Sequence, residues 1–164
     1  MHLSTDSIHL VRTSQSDYDE FKALLLDPVV TRMNGRKVDV DTLFERYLKN
    51  IYSYSVIFEN KFAGLCSLFP TSLSSAFKSI NSLEIVYSVV PDYWNKGIAT
   101  CSVNKMCCMG FNTIGLDCIV AGCYSDNTQS YRVLQNNGFK EIFSRTENNS
   151  GEHRTESIYL KIGL

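Results

Sequence analysis

No stretch of this chain is long and apolar enough to cross a bilayer. The residues from Met1 to Val11 include His2 and Asp6 and lack the apolar run of an export signal. These absences lead to the expectation of a soluble, cytoplasmic protein with no membrane partner. A basic excess is also missing, since the formal net charge is -1, so no nucleic-acid partner held mainly by phosphate contacts is expected. No Pro/Gly-rich linker, internal repeat or low-complexity tract divides the chain, and a single domain over residues 1–164 is expected. The six cysteines form no paired CxxC and no Cys/His cluster, which argues against zinc. The histidines His2, His9 and His153 are dispersed, so neither a metal site nor a Ser-His-acid arrangement is expected.

What is present is an ordinary globular balance, with 44% hydrophobic and 20% charged residues. Several of Cys66, Cys101, Cys107, Cys108, Cys118 and Cys123 lie within apolar periodic runs. They read as small hydrophobes packed in a core, in a reducing compartment. Ile8 to Arg12 alternates as a first strand. Ser16 or Asp17 caps a helix with Tyr18, Phe21, Leu24 and Leu25 on one face, and Pro28 reads as following its end. A second helix starts near Asp39 or Asp41 and carries Leu43, Phe44, Tyr47, Leu48 and Ile51.

Tyr52 to Phe58 and Phe62 to Phe69 make a hairpin turned at Asn60-Lys61, and Leu73 to Asn81 reads as a Ser-rich loop. Leu83 to Val90 is a strong strand. A helix follows from Gly97 to about Phe111, then a strand from Asp117 to Tyr124. A helix from Asn127 to Asn136 ends at Gly138, and Phe139 to Arg145 pairs with Glu156 to Ile162 across the tip Asn148-Asn149-Ser150-Gly151. The order β-α-α-β-β-β-α-β-α-β-β predicts a mixed sheet with helices on both faces, of α/β or α+β type.

Two segments carry chemistry. The strand Glu84 to Val90 runs through Pro91-Asp92-Tyr93-Trp94-Asn95-Lys96 into a helix that begins Gly97-Ile98-Ala99-Thr100. The first amides of a helix lack intrahelical acceptors, and the dipole adds positive charge there, so a pyrophosphate suits such an end. Gly97 and Ala99 would let backbone approach phosphate oxygens, with Lys96 at the rim. The plain alternative is an ordinary helix start. Neither GxxxxGK[ST] nor a complete GxGxxG occurs. In the second segment, Ser125-Asp126-Asn127-Thr128-Gln129-Ser130 again sets polar side chains at a helix start, where simple capping is the alternative.

Together these segments resemble the GNAT acetyltransferases, specifically the branch of ribosomal-protein N-terminal acetyltransferases. The shared features are Glu84-Ile85, Pro91, the run Tyr93-Trp94-Asn95-Lys96-Gly97-Ile98-Ala99-Thr100, then Asn127, Ser130 and Gly138-Phe139. They cover roughly Leu83 to Phe139. The family's broad pattern is Arg/Gln-x-x-Gly-x-Gly/Ala. Trp94 stands in the Arg/Gln place and Asn95 replaces a common glycine, which would restrict the turn slightly. Leu134 stands where many relatives carry a tyrosine acid, so that role is excluded at this position.

The resemblance implies a GNAT-like mixed, mostly antiparallel central sheet flanked by helices on both faces. It implies acetyl-CoA as cosubstrate, with coenzyme A as product, and direct transfer to an amine in a ternary complex. Trp94, Asn95, Lys96, Gly97, Ile98, Ala99 and Thr100 would hold the pyrophosphate, and Asn127 and Ser130 would bind the cofactor too. Backbone groups of Val89 and Val90 would hold the pantetheine arm and polarise the acetyl carbonyl. Glu84 is the preferred base, with Glu147 and Glu152 as rivals. Ser130 is the candidate donor to the departing thiolate, with Tyr131 and Tyr124 as substitutes. Tyr87, Tyr52 and Tyr54 line an acceptor site or simply pack across strands.

The acceptor amine is expected to belong to a protein N-terminus or peptide. The alternatives are a small-molecule amine (polyamine, amino sugar or amino acid) and a non-catalytic acyl-CoA-binding module. A homodimer is left open.

Overall fold

The computed structural model describes residues 7–35, 38–70, 80–149 and 152–163. Strand β1 (Ile8–Arg12) is followed by three helices, α1 (Tyr18–Leu26), α2 (Pro28–Asn34) and α3 (Val40–Lys49). Strands β2 (Ser53–Phe58), β3 (Lys61–Phe69) and β4 (Ser82–Val89) come next. Helix α4 (Ile98–Met109), strand β5 (Cys118–Tyr124), helix α5 (Thr128–Asn136) and the strands β6 (Lys140–Asn149) and β7 (Glu152–Ile162) complete the order. The expected loop from Leu73 falls mostly outside the described residues, as do Ser150 and Gly151 of the last tip.

The contacts divide the chain into two compact units, residues 1–69 with 86–106, and residues 70–85 with 107–164. Both divisions fall inside elements, β4 and α4. The first unit has the strand order β1-β2-β3-β4 and the second β4-β5-β7-β6. Pairing is antiparallel for β1–β2, β2–β3, β5–β7 and β6–β7, and parallel for β4–β5. A parallel neighbour requires a crossover, and α4 lies on it. Among the described residues, seven strands, mostly antiparallel, with five α-helices make the mixed α/β architecture that the resemblance implied.

In the first unit, Phe21, Leu24 and Leu25 of α1, Val30 of α2 and Phe44 and Tyr47 of α3 close over Leu65 and Phe69 of β3. Phe21 meets Phe44 and Tyr47 edge-on, with centroids 4.9 and 5.0 Å away, and Tyr47 meets Phe69 at 4.9 Å. Such pairs add about 0.5–1.5 kcal/mol each beyond area burial. Ile51, expected on the α3 face, lies beyond the helix and is exposed. A Cβ on Gly64 would stand 2.2 Å from the Ser88 carbonyl oxygen, so β3 admits only glycine where β4 passes it.

In the second unit, Val120 and Ile158 form a buried pair between β5 and β7, with Leu160 against them. Helix α5 ends as the glycine suggested. Gly138, at φ 77°, donates its N–H to Gln135 O, and Phe139 donates to Leu134 O, the two bonds of a Schellman cap. Cys66, Cys107, Cys118 and Cys123 are buried, whereas Cys101 is half-buried and Cys108 is exposed.

Two further local expectations need correction. Pro28 starts a helix instead of following a stop, because Asp27 caps α2 by accepting from the amides of Val29 (2.9 Å) and Val30 (3.1 Å). The β2–β3 turn is centred on Glu59-Asn60, not Asn60-Lys61. Both residues are left-handed, at φ 50° and 62°, and Phe58 pairs with Lys61.

Candidate active site

In the first unit, β4 leads into a tightly tied turn. Val90 accepts from the Tyr93 amide at 2.9 Å and Pro91 from the Trp94 amide at 3.0 Å, giving one short 3-10 turn over Pro91–Tyr93. The Trp94 indole Nε1–H donates to Val89 O at 2.6 Å, and its ring packs against the α1–α3 core. Trp94 thus fastens the turn through its side chain, whereas the sequence placed it with the phosphate-holding residues. The Val90 N–H donates to Ala63 O at 2.9 Å, so the amide expected to polarise a carbonyl is already committed to β3.

The turn then opens outward. Asn95 adopts φ 59° and Gly97 φ 74°. Asparagine tolerates the left-handed region better than most side chains, which explains how it serves where relatives often have glycine. The Gly97 carbonyl accepts the first bond of α4, from Cys101 N at 3.0 Å. Gly97 is therefore the N-cap residue and has no side chain with which to cap. A Cβ built on it meets no protein atom within 4 Å. Among the described residues there is thus open space on the Cβ side of Gly97. Asn95, Lys96 and Gly97 are exposed, Ala99 and Thr100 half-buried, and Ile98 fully buried as the anchor of the helix. The Lys96 ammonium lies over the Tyr93 ring, 5.1 Å from its centroid.

In the second unit, Asn127 caps α5 with its own amide oxygen, accepting from Ser130 N at 3.0 Å. The Ser130 side chain reaches Cys123. Burial pushes the Cys123 thiol up, and the hydrogen bond with Ser130 pulls it partly back. Both residues expected at the cofactor thus also have local structural tasks, Asn127 as the cap of α5. Arg154 of β7 stands behind this helix start. Its Nη2 donates to the two Asp126 carboxylate oxygens at 2.7 and 2.9 Å, and its guanidinium carbon lies 4.0 Å from the Tyr124 ring centroid. Nothing in the motif spacing pointed to Arg154.

Glu84 sits half-buried in β4, in register with Val120 of β5. Glu147 in β6 is opposite Arg154, and Glu152 in β7 is opposite Asn149. Tyr131 is exposed and accepts a hydrogen bond from Gln135 Nε2, while Leu134 is fully buried. Tyr54 lies under the Arg12 guanidinium, 5.8 Å from centroid to carbon, in the cross-strand packing considered above for it. Among the described residues, no group of three or more His, Cys, Asp or Glu side chains suits a metal ion, and no helix is long and apolar enough to cross a membrane.

A sequence model described as an acetyltransferase (GNAT) domain matches residues 7–140. An uncharacterized N-acetyltransferase, YoaA of Bacillus subtilis (strain 168), is 24% identical over 148 residues, covering 85% of this chain and 82% of that protein. Among solved structures, spermidine N-acetyltransferase from Vibrio cholerae, in complex with CoA and spermine, superposes with a TM-score of 0.80 at 17% identity, over 96% of both chains. An acetyltransferase from Salmonella typhimurium that modifies the N-terminal serine of ribosomal protein L7/L12 superposes at 0.75 with 18% identity, over 95% of both chains. At these identities the superpositions speak for the shared fold.

Proposed function

The chain belongs to the GNAT acetyltransferase family and is an acyltransferase, and from that premise we propose that it transfers the acetyl group of acetyl-CoA to the amine of a protein N-terminus or peptide. The observation that supports this most is the start of α4. Its N-cap is a left-handed glycine without a capping side chain, facing open space. Such an end suits phosphate oxygens, which accept from the exposed helix amides. The backbone from Asn95 to Thr100 would hold the pyrophosphate, with Lys96 adding charge at the rim. Trp94 acts one step back, by tying the turn to Val89 O.

Acetyl-CoA supplies an activated thioester, and the protein has to present a neutral amine to it. An α-amine has an ordinary pKa of about 8 and a lysine amine about 10.4, so much of the acceptor is protonated at neutral pH. Glu84 is the proposed base that takes this proton, directly or through water. The Val89 amide is the proposed donor toward the carbonyl oxygen. Ser130 is the proposed donor toward the leaving sulfur, through a hydroxyl already engaged with Cys123. Holding both substrates in one geometry contributes much of the remaining rate.

A second reading, transfer to a small-molecule polyamine, is supported by the superposition on the spermidine enzyme. Mass spectrometry on reactions containing acetyl-CoA and either a peptide with a free N-terminus, the same peptide blocked, or spermidine separates the two. The expected result is one acetyl group on the free peptide alone. Acetylation of spermidine and neither peptide would overturn the leading reading in favour of the second. Glu84→Gln is expected to lower turnover most at pH values below the acceptor's pKa; an unchanged pH profile would remove Glu84 from the mechanism.

A further inference from the structure

We infer that Arg154 is a positioning residue that sets the start of α5, and through it the affinity for acetyl-CoA. The inference rests on the expectation from the family resemblance that Asn127 and Ser130 bind the cofactor. Three short residues, Ser125 to Asn127, join the end of β5 to α5, and Arg154 grips both sides of that link. Its guanidinium lies over the Tyr124 ring at the end of β5, and its Nη2 holds both oxygens of Asp126, the residue before the N-cap. The backbone adds two ties, Ser125 N–H to Thr155 O at 2.9 Å and Asn127 N–H to Tyr124 O at 2.9 Å. Thr155 is the neighbour of Arg154 on β7, so side chain and backbone fix the same link from the same strand.

The ion pair itself is lopsided. The Arg154 side chain is 17% exposed and that of Asp126 66% exposed. A pair with one partner so open to water contributes little to overall stability. The grip instead restricts where Asp126 can lie, and so where Asn127 presents its oxygen to Ser130 N. Arginine suits this task because one planar group stacks on a ring and also donates at its edge, which a lysine ammonium cannot reproduce. Arg145 provides a matched contrast on the same hairpin. It bonds Glu156, within β7, through Nε (2.9 Å) and Nη2 (2.6 Å).

The test measures acetyl-CoA dissociation constants by calorimetry, steady-state kinetics, and amide hydrogen exchange at Ser130 and Tyr131. It compares wild type with Arg154→Ala, Arg154→Lys, Arg145→Ala and Asn127→Ala. Arg154→Ala is expected to raise the Kd and the KM for acetyl-CoA about threefold, no more than Asn127→Ala, because it acts through that helix start. Exchange at Ser130 and Tyr131 should speed up. Arg154→Lys should recover only part of the affinity and keeps the test valid should the alanine variant fold poorly. Arg145→Ala should change neither affinity nor exchange.

An unchanged Kd in both Arg154 variants, with Asn127→Ala weakening binding, would overturn the positioning role and leave the cofactor assignment standing. An unchanged Kd in Asn127→Ala as well, or no binding by wild type, would remove the cofactor role of the α5 start and the inference with it. Faster exchange with unaltered affinity would reduce Arg154 to a purely structural tie and also overturn the inference.

Discussion

The starts of α4 and α5 look alike in sequence and differ in how they meet the same physical demand. Each helix begins with amides that lack intrahelical acceptors. At α5, Asn127 satisfies one of them with its own side chain. At α4 the N-cap is Gly97, which has no side chain to offer and faces open space. A helix start that caps itself satisfies one amide internally, whereas a glycine N-cap leaves that amide to water or to a ligand, the cofactor's phosphate in the proposed function. The comparison therefore ranks the two motifs. In the proposed function the α4 start takes the main phosphate-holding role, and the α5 start a secondary one that would depend on its support from β7.

The most direct way to break this ranking is Gly97→Glu. A carboxylate there would oppose the phosphates, and acetyl-CoA affinity should fall by about a hundredfold or more, read by calorimetry. Gly97→Ala sharpens the result. Its Cβ meets no protein atom, so only the left-handed backbone is penalised, by about 1–2 kcal/mol of stability in urea unfolding. Its affinity loss should be at least about tenfold smaller than that of the glutamate, because it adds no charge. A loss as large as glutamate's would mean that backbone strain, not phosphate repulsion, is being measured.

Asn127→Ala probes the other start. Removing the cap should cost about 1 kcal/mol of stability, while affinity falls only severalfold. A loss of affinity matching that of Gly97→Glu would reverse the ranking.

The smallest effect at assay pH concerns the scaffold that presents the α4 start. Burial pushes the Cys107 thiol from its ordinary 9.0 to about 12. The folded pKa lies above the unfolded one, so the folded state holds the extra proton between them. Stability is fully present below pH 9 and declines as pH rises toward 12, at roughly 1.4 kcal/mol per pH unit for this group. Denaturant midpoints measured across that range check it; a Cys107→Ala variant should show a shallower alkaline decline.

Much of the fold was legible because it depends on periodicity. The β1 bounds, the buried face of α1 and the glycine end of α5 follow from local pattern. Helix α2 was missed because a proline just after one helix reads equally as a stop or as a first residue. The distinguishing signal was Asp27, whose carboxylate reaches two amides ahead. The site was legible only in outline. Spacing marked Gly97 as the start of a helix, but could not reveal that the Trp94 indole turns inward to Val89 O, or that the Val90 amide belongs to β3. Those are contacts between side chain and backbone, or between strands, that no short motif encodes. Arg154 was invisible for the same reason, since its carboxylate partner lies 28 residues away along the chain.

The central claim, that the open glycine start of α4 holds acetyl-CoA, is tested most directly by titrating acetyl-CoA into the wild-type protein and into Gly97→Glu by calorimetry. Saturable binding by the wild type and its loss in the folded variant are expected. Equal binding by both, or none by the well-folded wild type, would contradict it.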